Sequence, residues 1–293
     1  YYYNFSRAVS LKTFPDYTVE IGYRILNVIV RNITKSYSMF IFLVAFLSIY
    51  PVISLLKKYK HDIDLPVAVL MYLTIFFFSG LSPIRICLAA AFSLYAFDAM
   101  IENHTIKAFF CVIFASLFHS AALVLFIPFF CLAIRCFNKK MIGFSLFLLF
   151  LSGYLGRKVL TIIMSGSERY SIYSSFDNVH VGMEQLFYFI PLFAIYFIGK
   201  KKDINKRFAI IAFLYLSTAF CLGMLGYIVS IFGRFRDVFL PLIFIVAYYT
   251  KRLKMMYPKN KLLINILVIT YCIARFYIYI SQYYIMEDLM PYT

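Results

Sequence analysis

The chain has 293 residues, of which 63% are hydrophobic and 14% charged, with a formal charge of +16. That much apolar surface excludes a single soluble domain, because one core of this size cannot hide it, whereas a bilayer accepts it. Nucleic acid is excluded as a partner, because Lys and Arg fall in short clusters between apolar runs instead of forming one basic face.

The predicted elements begin with a mixed polar and aromatic segment, 1–38, in which Glu20 to Val30 reads as an amphipathic or re-entrant interfacial helix. Apolar runs follow at roughly 39–56, 67–82, 84–100, 106–118, 120–137, 141–155, 184–199, 208–226, 234–250 and 262–280. A spanning helix needs about 20 mostly apolar residues. The stretch from Ile106 to Phe137 is too long for one upright helix and reads as two short helices, or one broken helix, turning near His119-Ser120. The expected fold is therefore all-α: a single polytopic membrane domain of about ten transmembrane helices. The chain begins at Tyr1, without Met or a signal-peptide pattern. This reading leaves room for a helix or two before it.

With 34 Phe, 26 Tyr and no Trp, Tyr must supply the interfacial aromatic belt. Cys87, Cys111, Cys131, Cys136, Cys221 and Cys272 lie in or at the ends of apolar runs without a CxxC pair and read as small hydrophobes. His61, His104, His119 and His180 lack ligand spacing, so neither a metal nor a cofactor is expected.

Orientation follows the Lys and Arg bias. With segment 1–38 outside, the inside loops hold 17 basic residues and the outside segments 11, Arg275 lying within the last span. Residues 156–183 then form a long outside loop that could cover a site.

Ionisable groups at membrane depth are costly and therefore mark candidate sites. Arg85 opens an apolar helix; it is read either as an interfacial, snorkelling cation or as a fork for phosphate. His119, at a turn between apolar runs, is read either as a satisfied core residue or as a general acid or base. Arg234 and Arg236 flank Phe235, and Arg234 has Asp237 three residues on as a structural partner. Glu20 and Arg24 stand at the spacing of a helical ion pair. Asp98, Glu102 and His104 read as solvated loop residues, and Arg275 as isolated. The shared outer placement of Glu20, Arg85, His119, Arg234 and Arg236 suits an anionic, lipid-linked substrate.

Three segments carry a resemblance: Val19-Glu20-Ile21-Gly22-Tyr23-Arg24-Ile25-Leu26-Asn27, Ser82-Pro83-Ile84-Arg85-Ile86-Cys87-Leu88-Ala89, and Phe118-His119-Ser120-Ala121-Ala122. They resemble the EpsG-like, Wzy-type polysaccharide polymerases of bacterial envelopes. Ile21 stands where that family has Pro, and Ile86 where it has Gln. The resemblance implies a metal-independent glycosyltransferase, multi-pass in the bacterial inner membrane, with its site facing the periplasm. It would join undecaprenyl-pyrophosphate-linked repeat units of O-antigen or a related polysaccharide. The partners implied are those lipid-linked glycans, the bilayer, a chain-length regulator and a flippase. In that frame Arg85, Arg234 and Arg236 bind pyrophosphate, and His119 or, second to it, Glu20 takes the acceptor hydroxyl's proton. Arg169 and Tyr170, in the long outside loop, contact substrate, Tyr170 and Tyr173 stacking on its sugars. An O-antigen-type ligase, a membrane glycan O-acyltransferase and a lipid-linked glycan transporter are the alternatives.

Overall fold

The computed structural model describes residues 1–12, 14–16, 18–77, 83–133, 183–200, 205–226 and 235–283, all helix, turn or irregular chain. The helices are α1 (Tyr2–Arg7), α2 (Ile21–Ile33), α3 (Tyr37–Tyr59), α4 (Leu65–Met71), α5 (Ile84–Ile101), α6 (Thr105–Ser116) and α7 (Phe126–Ala133). They continue with α8 (Met183–Gly199), α9 (Lys206–Leu225), α10 (Leu242–Met256) and α11 (Lys261–Tyr283). A π-helical stretch, Tyr72–Phe77, prolongs α4, and a 3-10 stretch, Ser120–Leu125, leads into α7.

Among the described residues four helices are long and apolar enough to cross a membrane: Tyr37–Tyr59, Ile84–Ile101, Lys206–Leu225 and Pro258–Ser281. They answer to four of the ten expected spans. Four more expected spans are shorter apolar helices: Leu65–Phe77, Thr105–Ser116, Ser120–Ala133 and Leu186–Gly199. The expected span 141–155 lies outside the described residues. The span expected at 234–250 is corrected: helix α10 starts only at Leu242, behind Pro241. Proline has no N–H to give an upstream turn and fits the start of a helix.

Segment 1–38 forms α1 and α2. Helix α2 is amphipathic in a particular way. Gly22, Tyr23, Asn27 and Val30 face the protein, while Ile21, Ile25, Ile29 and Ile33 form an exposed stripe at four-residue spacing. An exposed isoleucine stripe on one helix suits the acyl boundary of a membrane interface better than water.

Helices α5 and α6 form a tight antiparallel pair, turned by Asn103 in the left-handed conformation (φ 65°). Helix α6 has only 12 residues, about 18 Å at 1.5 Å per residue. The chain then turns at Leu117–His119, and the Phe126 and Phe129 rings of α7 return to Phe109 near the start of α6. The two short helices expected here are thus a hairpin with His119 at its tip.

A second irregular segment, 237–241, follows a helical end at Phe235 and Arg236, and its residues 238–241 are buried, with Val238 and Phe239 inaccessible. Its backbone is satisfied locally, by Phe239 N–H to the Arg236 carbonyl at 3.0 Å, and from outside, by the Ser93 hydroxyl to the Val238 carbonyl at 3.0 Å. Ser93 lies about 12 Å along α5 from Arg85. Irregular backbone at membrane depth is tolerated only where protein or a cavity covers it in this way.

The end of the bundle opposite Arg85 carries most of the described lysines. Asp64 and Asn205 cap α4 and α9 there, each accepting a backbone N–H. Lys58 reaches Asp98 at 2.5 Å and Glu102 at 2.6 Å, and the Tyr59 hydroxyl donates to Asp98 at 2.6 Å. The expectation that Asp98 is solvated is thereby corrected. Asp98 sits inside α5, is buried, and ties that helix to α3. Burial of a carboxylate is tolerated because a cation and a hydroxyl satisfy it. Lys254 and Asp64 pair between α10 and α4, and the Arg207 Nε donates to the Met100 carbonyl at 2.8 Å.

Candidate functional site

The site lies where α2, α5 and the hairpin tip meet. Helix α6 ends with unsatisfied carbonyls, and α2 begins with unsatisfied N–H groups. The structure joins them: the Gly22 N–H donates to the Leu117 carbonyl at 2.8 Å. Only glycine permits that approach. A Cβ at residue 22 would lie 2.7 Å from the Leu117 carbonyl oxygen and 2.8 Å from its Cβ. Gly22 was quoted in the sequence as part of a motif, but its role there depends on a contact with a residue far along the chain.

Glu20, the residue before α2, then stands over the tip. One carboxylate oxygen, Oε1, accepts from the Ser120 N–H at 3.2 Å and the Ser120 hydroxyl at 3.3 Å. The other, Oε2, accepts from Arg85 Nη1 at 2.7 Å. The Glu20 side chain is 8% exposed and that of Arg85 26%. The carboxylate is thus enclosed, and the guanidinium is the more accessible partner. A single nitrogen of the five-donor fork is committed to Glu20, which leaves the guanidinium able to take further acceptors.

Burial works to raise the Glu20 pKa. Its own backbone N–H, the Arg85 guanidinium, His119 and the Ser120 N–H outweigh that, and the carboxyl stays below its ordinary range. Glu20 is therefore an anion at neutral pH.

His119 caps the 3-10 stretch, its Nδ1 accepting from the Ala121 N–H at 3.1 Å. When the ring is neutral, an Nδ1 that accepts a hydrogen bond leaves the proton on Nε2 as its donor.

The structure therefore brings Glu20, Arg85 and His119 together from positions separated by 65 residues and by 100 to the neighbouring Ser120. Ser120 belongs to the cluster through its backbone and hydroxyl. Arg236 stands just before the irregular segment that leads into α10, 3.5 Å from Asp237. Arg234, Arg169 and Tyr170 lie outside the described residues, as does most of the loop 156–183. Arg275 is not isolated: its guanidinium carbon lies 3.5 Å from the centroid of the Tyr188 ring.

Chemically the cluster is a cation held by a buried anion, beside an imidazole donor and a helix N-terminus. Such a set favours binding of an anionic oxygen, phosphate above all. Comparison with curated proteins and with solved structures finds no match for this chain. The family model of the EpsG family matches it over residues 1–293, and the chain belongs to that family.

Proposed function

We propose that this membrane protein polymerises undecaprenyl-pyrophosphate-linked oligosaccharide repeat units, of O-antigen or a related surface polysaccharide, at the periplasmic face of the bacterial inner membrane. The EpsG family belongs to the Wzy-type polymerase-like group, and a polymerase-like role in polysaccharide biosynthesis goes with membership. The observation that carries the finer reading is the meeting of Glu20, Arg85 and His119 at one point, because these residues come from the three sequence segments that resemble such polymerases.

In this reading the acceptor sugar hydroxyl attacks the anomeric carbon of the donor. The bond from that carbon to the diphosphate oxygen breaks, and the lipid diphosphate leaves with the bonding electrons. Arg85 binds the diphosphate and neutralises the charge that develops on it. Glu20 holds the Arg85 fork and the Ser120 backbone in place, which makes it a positioning residue; its enclosed carboxylate is poorly placed to meet a hydroxyl. The tautomer of His119 supports a donor role through Nε2–H toward the departing diphosphate, in preference to the proton acceptor first expected. The acceptor's proton then passes to a non-bridging diphosphate oxygen, which balances the step.

The test is a gel of surface glycan from a deletion strain complemented with wild type, Arg85→Ala or His119→Ala at matched protein levels. A deletion strain showing a single repeat, with the ladder restored by wild type alone, is the expected result. A deletion strain that keeps its full ladder, or loses only an acyl decoration, would sink the polymerase reading.

A further inference from the structure

Helix α6 divides its surface unequally. Ala108, Val112 and Ala115 form one inaccessible face, and small side chains there let the α6 backbone come close to a neighbour. Large rings stand on the outward side instead: Phe110 is 62% exposed and Phe114 47%. Opposite them α5 presents Phe92 and Tyr95, both half-buried. Two close backbones with such large rims leave a groove of about 250 Å³ between the helices. It is lined by Phe92, Tyr95, Phe110, Cys111 and Phe114, with Lys107 at the Thr105 end.

The other end of the groove reaches the site. The Phe92 ring meets the Phe114 ring at 4.9 Å and the Phe118 ring at 5.0 Å between centroids, and Phe118 is the residue before His119. On α5, Phe92 follows Arg85 by almost two full turns, so the two share one side of the helix about 10 Å apart along its axis. From Phe114 back to Lys107 is about another 10 Å. The groove therefore begins close beneath the anion site and runs along the hairpin toward the Ile101 end of α5.

Three features name its occupant. A chain lying in the groove has its upper end at the Arg85 cluster, and an isoprenoid diphosphate carries a tail and an anionic head in one molecule. Phe110 and Phe114 stand one turn, about 6 Å, apart. That spacing is comparable with one isoprene unit, so branch methyls fit between successive rings and flat alkenes lie against them. The lower end is a poor seat for a phospholipid headgroup, because Lys107 already lies 4.0 Å from Glu102, whose carboxylate also takes Lys58.

We infer that the α5–α6 groove holds the upper part of the isoprenoid tail whose diphosphate is bound at Arg85. The inference rests on the polymerase reading for the chemical class of the lipid, and adds the face of the bundle from which that lipid enters. The tail packs on the outward side of the hairpin, so the head reaches Arg85 by sliding in from the bilayer past Phe118.

The experiment is photolabelling of the full chain in phosphatidylcholine nanodiscs. The probe is an undecaprenyl diphosphate with a diazirine in its tail about 15 Å from the diphosphate, the distance from Arg85 to the middle of the groove. Peptide mapping is expected to place most of the label within 92–95 and 107–114. A phosphatidylglycerol with a diazirine in an acyl chain is the second probe. Arg85→Gln should cut groove labelling by the isoprenoid about tenfold, as loss of a charge-assisted pair does, and leave labelling by the phospholipid unchanged. Cys111→Trp fills the groove and should lower isoprenoid labelling to a similar extent, with binding of inorganic pyrophosphate retained. Should it fail to fold, Phe110→Ala removes one wall and reads the same contact. Isoprenoid label falling chiefly on another face of the bundle overturns the proposal. So does groove labelling that Arg85→Gln leaves intact, or that phosphatidylglycerol removes as readily as unlabelled undecaprenyl diphosphate does. Labelling does not depend on turnover. A labelled groove in a protein whose deletion leaves the glycan ladder unchanged would remove the polymerase reading and keep the groove; an unlabelled groove beside a lost ladder would do the reverse.

Discussion

Helix α5 carries an ion-paired cluster at each end, a buried carboxylate with a more exposed cation in both, and the two differ in how far the cation is used up. At the Ile101 end two carboxylates, Asp98 and Glu102, share Lys58, and Asp98 takes the Tyr59 hydroxyl as well. Lys107 lies 4.0 Å from Glu102 as well, and the more buried group, Asp98, accepts two hydrogen bonds from within the protein. At the Ile84 end one enclosed carboxylate, Glu20, serves Arg85, and the cation is the accessible partner. The first arrangement closes on itself and ties α3 to α5. The second leaves donors of a cation presented outward. What separates the two ends of one helix is how far the cation's donors are used up: Lys58 serves two carboxylates, whereas Arg85 commits one nitrogen to Glu20.

That contrast can be broken experimentally. Arg85→Ala should lower polymer formation by about 100-fold or more, the scale on which a charge-stabilising group is lost, while the purified variant keeps its melting temperature within a few degrees. Asp98→Asn should do the opposite, leaving activity per folded molecule near wild type and lowering the melting temperature. If Asp98→Asn abolished turnover in folded protein, the two ends could not be divided into fastening and site.

Gly22→Ala sharpens the comparison at smaller scale. The new methyl meets backbone at the hairpin tip, and overpacking of this kind costs about 1–3 kcal/mol. Because the strain falls on the joint that carries Glu20, activity should fall further than melting temperature does. Asp98→Asn should cost about 1 kcal/mol or a little more, since Lys58 is 39% exposed and water screens its half of the pair.

The smallest effect is one of pH. The folded Glu20 carboxyl ionises below its ordinary value of 4.5. Its contribution to stability is therefore fully present above pH 4.5 and is lost as pH falls through the lower, folded value. The difference in melting temperature between wild type and Glu20→Gln should be constant from pH 7 to about pH 5 and shrink below that. A difference that shrank already between pH 7 and pH 6 would mean that the carboxyl is not held in the way the geometry indicates.

The sequence made the spans legible where an apolar run was long enough to cross a bilayer by itself, as in α3, α5, α9 and α11. The hairpin tip was legible because the run from Ile106 to Phe137 exceeds one helix, and the polar His119-Ser120 interrupts it. Glu20, Arg85 and His119, which meet in the structure, stand out in the sequence by the cost of charge at membrane depth. Residues whose role is set by a distant neighbour were missed. Asp98 looked solvated because the sequence does not show that Lys58 and Tyr59, on another helix, face it. The start of α10 was misplaced because hydrophobicity continues through 235–241, while the backbone at 237–241 is irregular and satisfied from Ser93. Gly22 looked like a motif letter because its partner, Leu117, is a backbone carbonyl, which leaves no mark in a pattern of side chains.

The head-to-tail joint of Gly22 and Leu117 also sets an order of biogenesis. As the chain leaves the ribosome, Glu20 and Gly22 emerge long before residues 117–120, and α3 to α6 must be inserted in between. Until then α2 has only its isoleucine stripe to hold it, so it waits as a surface-bound helix and docks late. The Arg85 end of the molecule would thus be assembled by recruitment of an early peripheral segment to a later hairpin. Nascent chains released before residue 120 would be membrane-integrated and still lack the site.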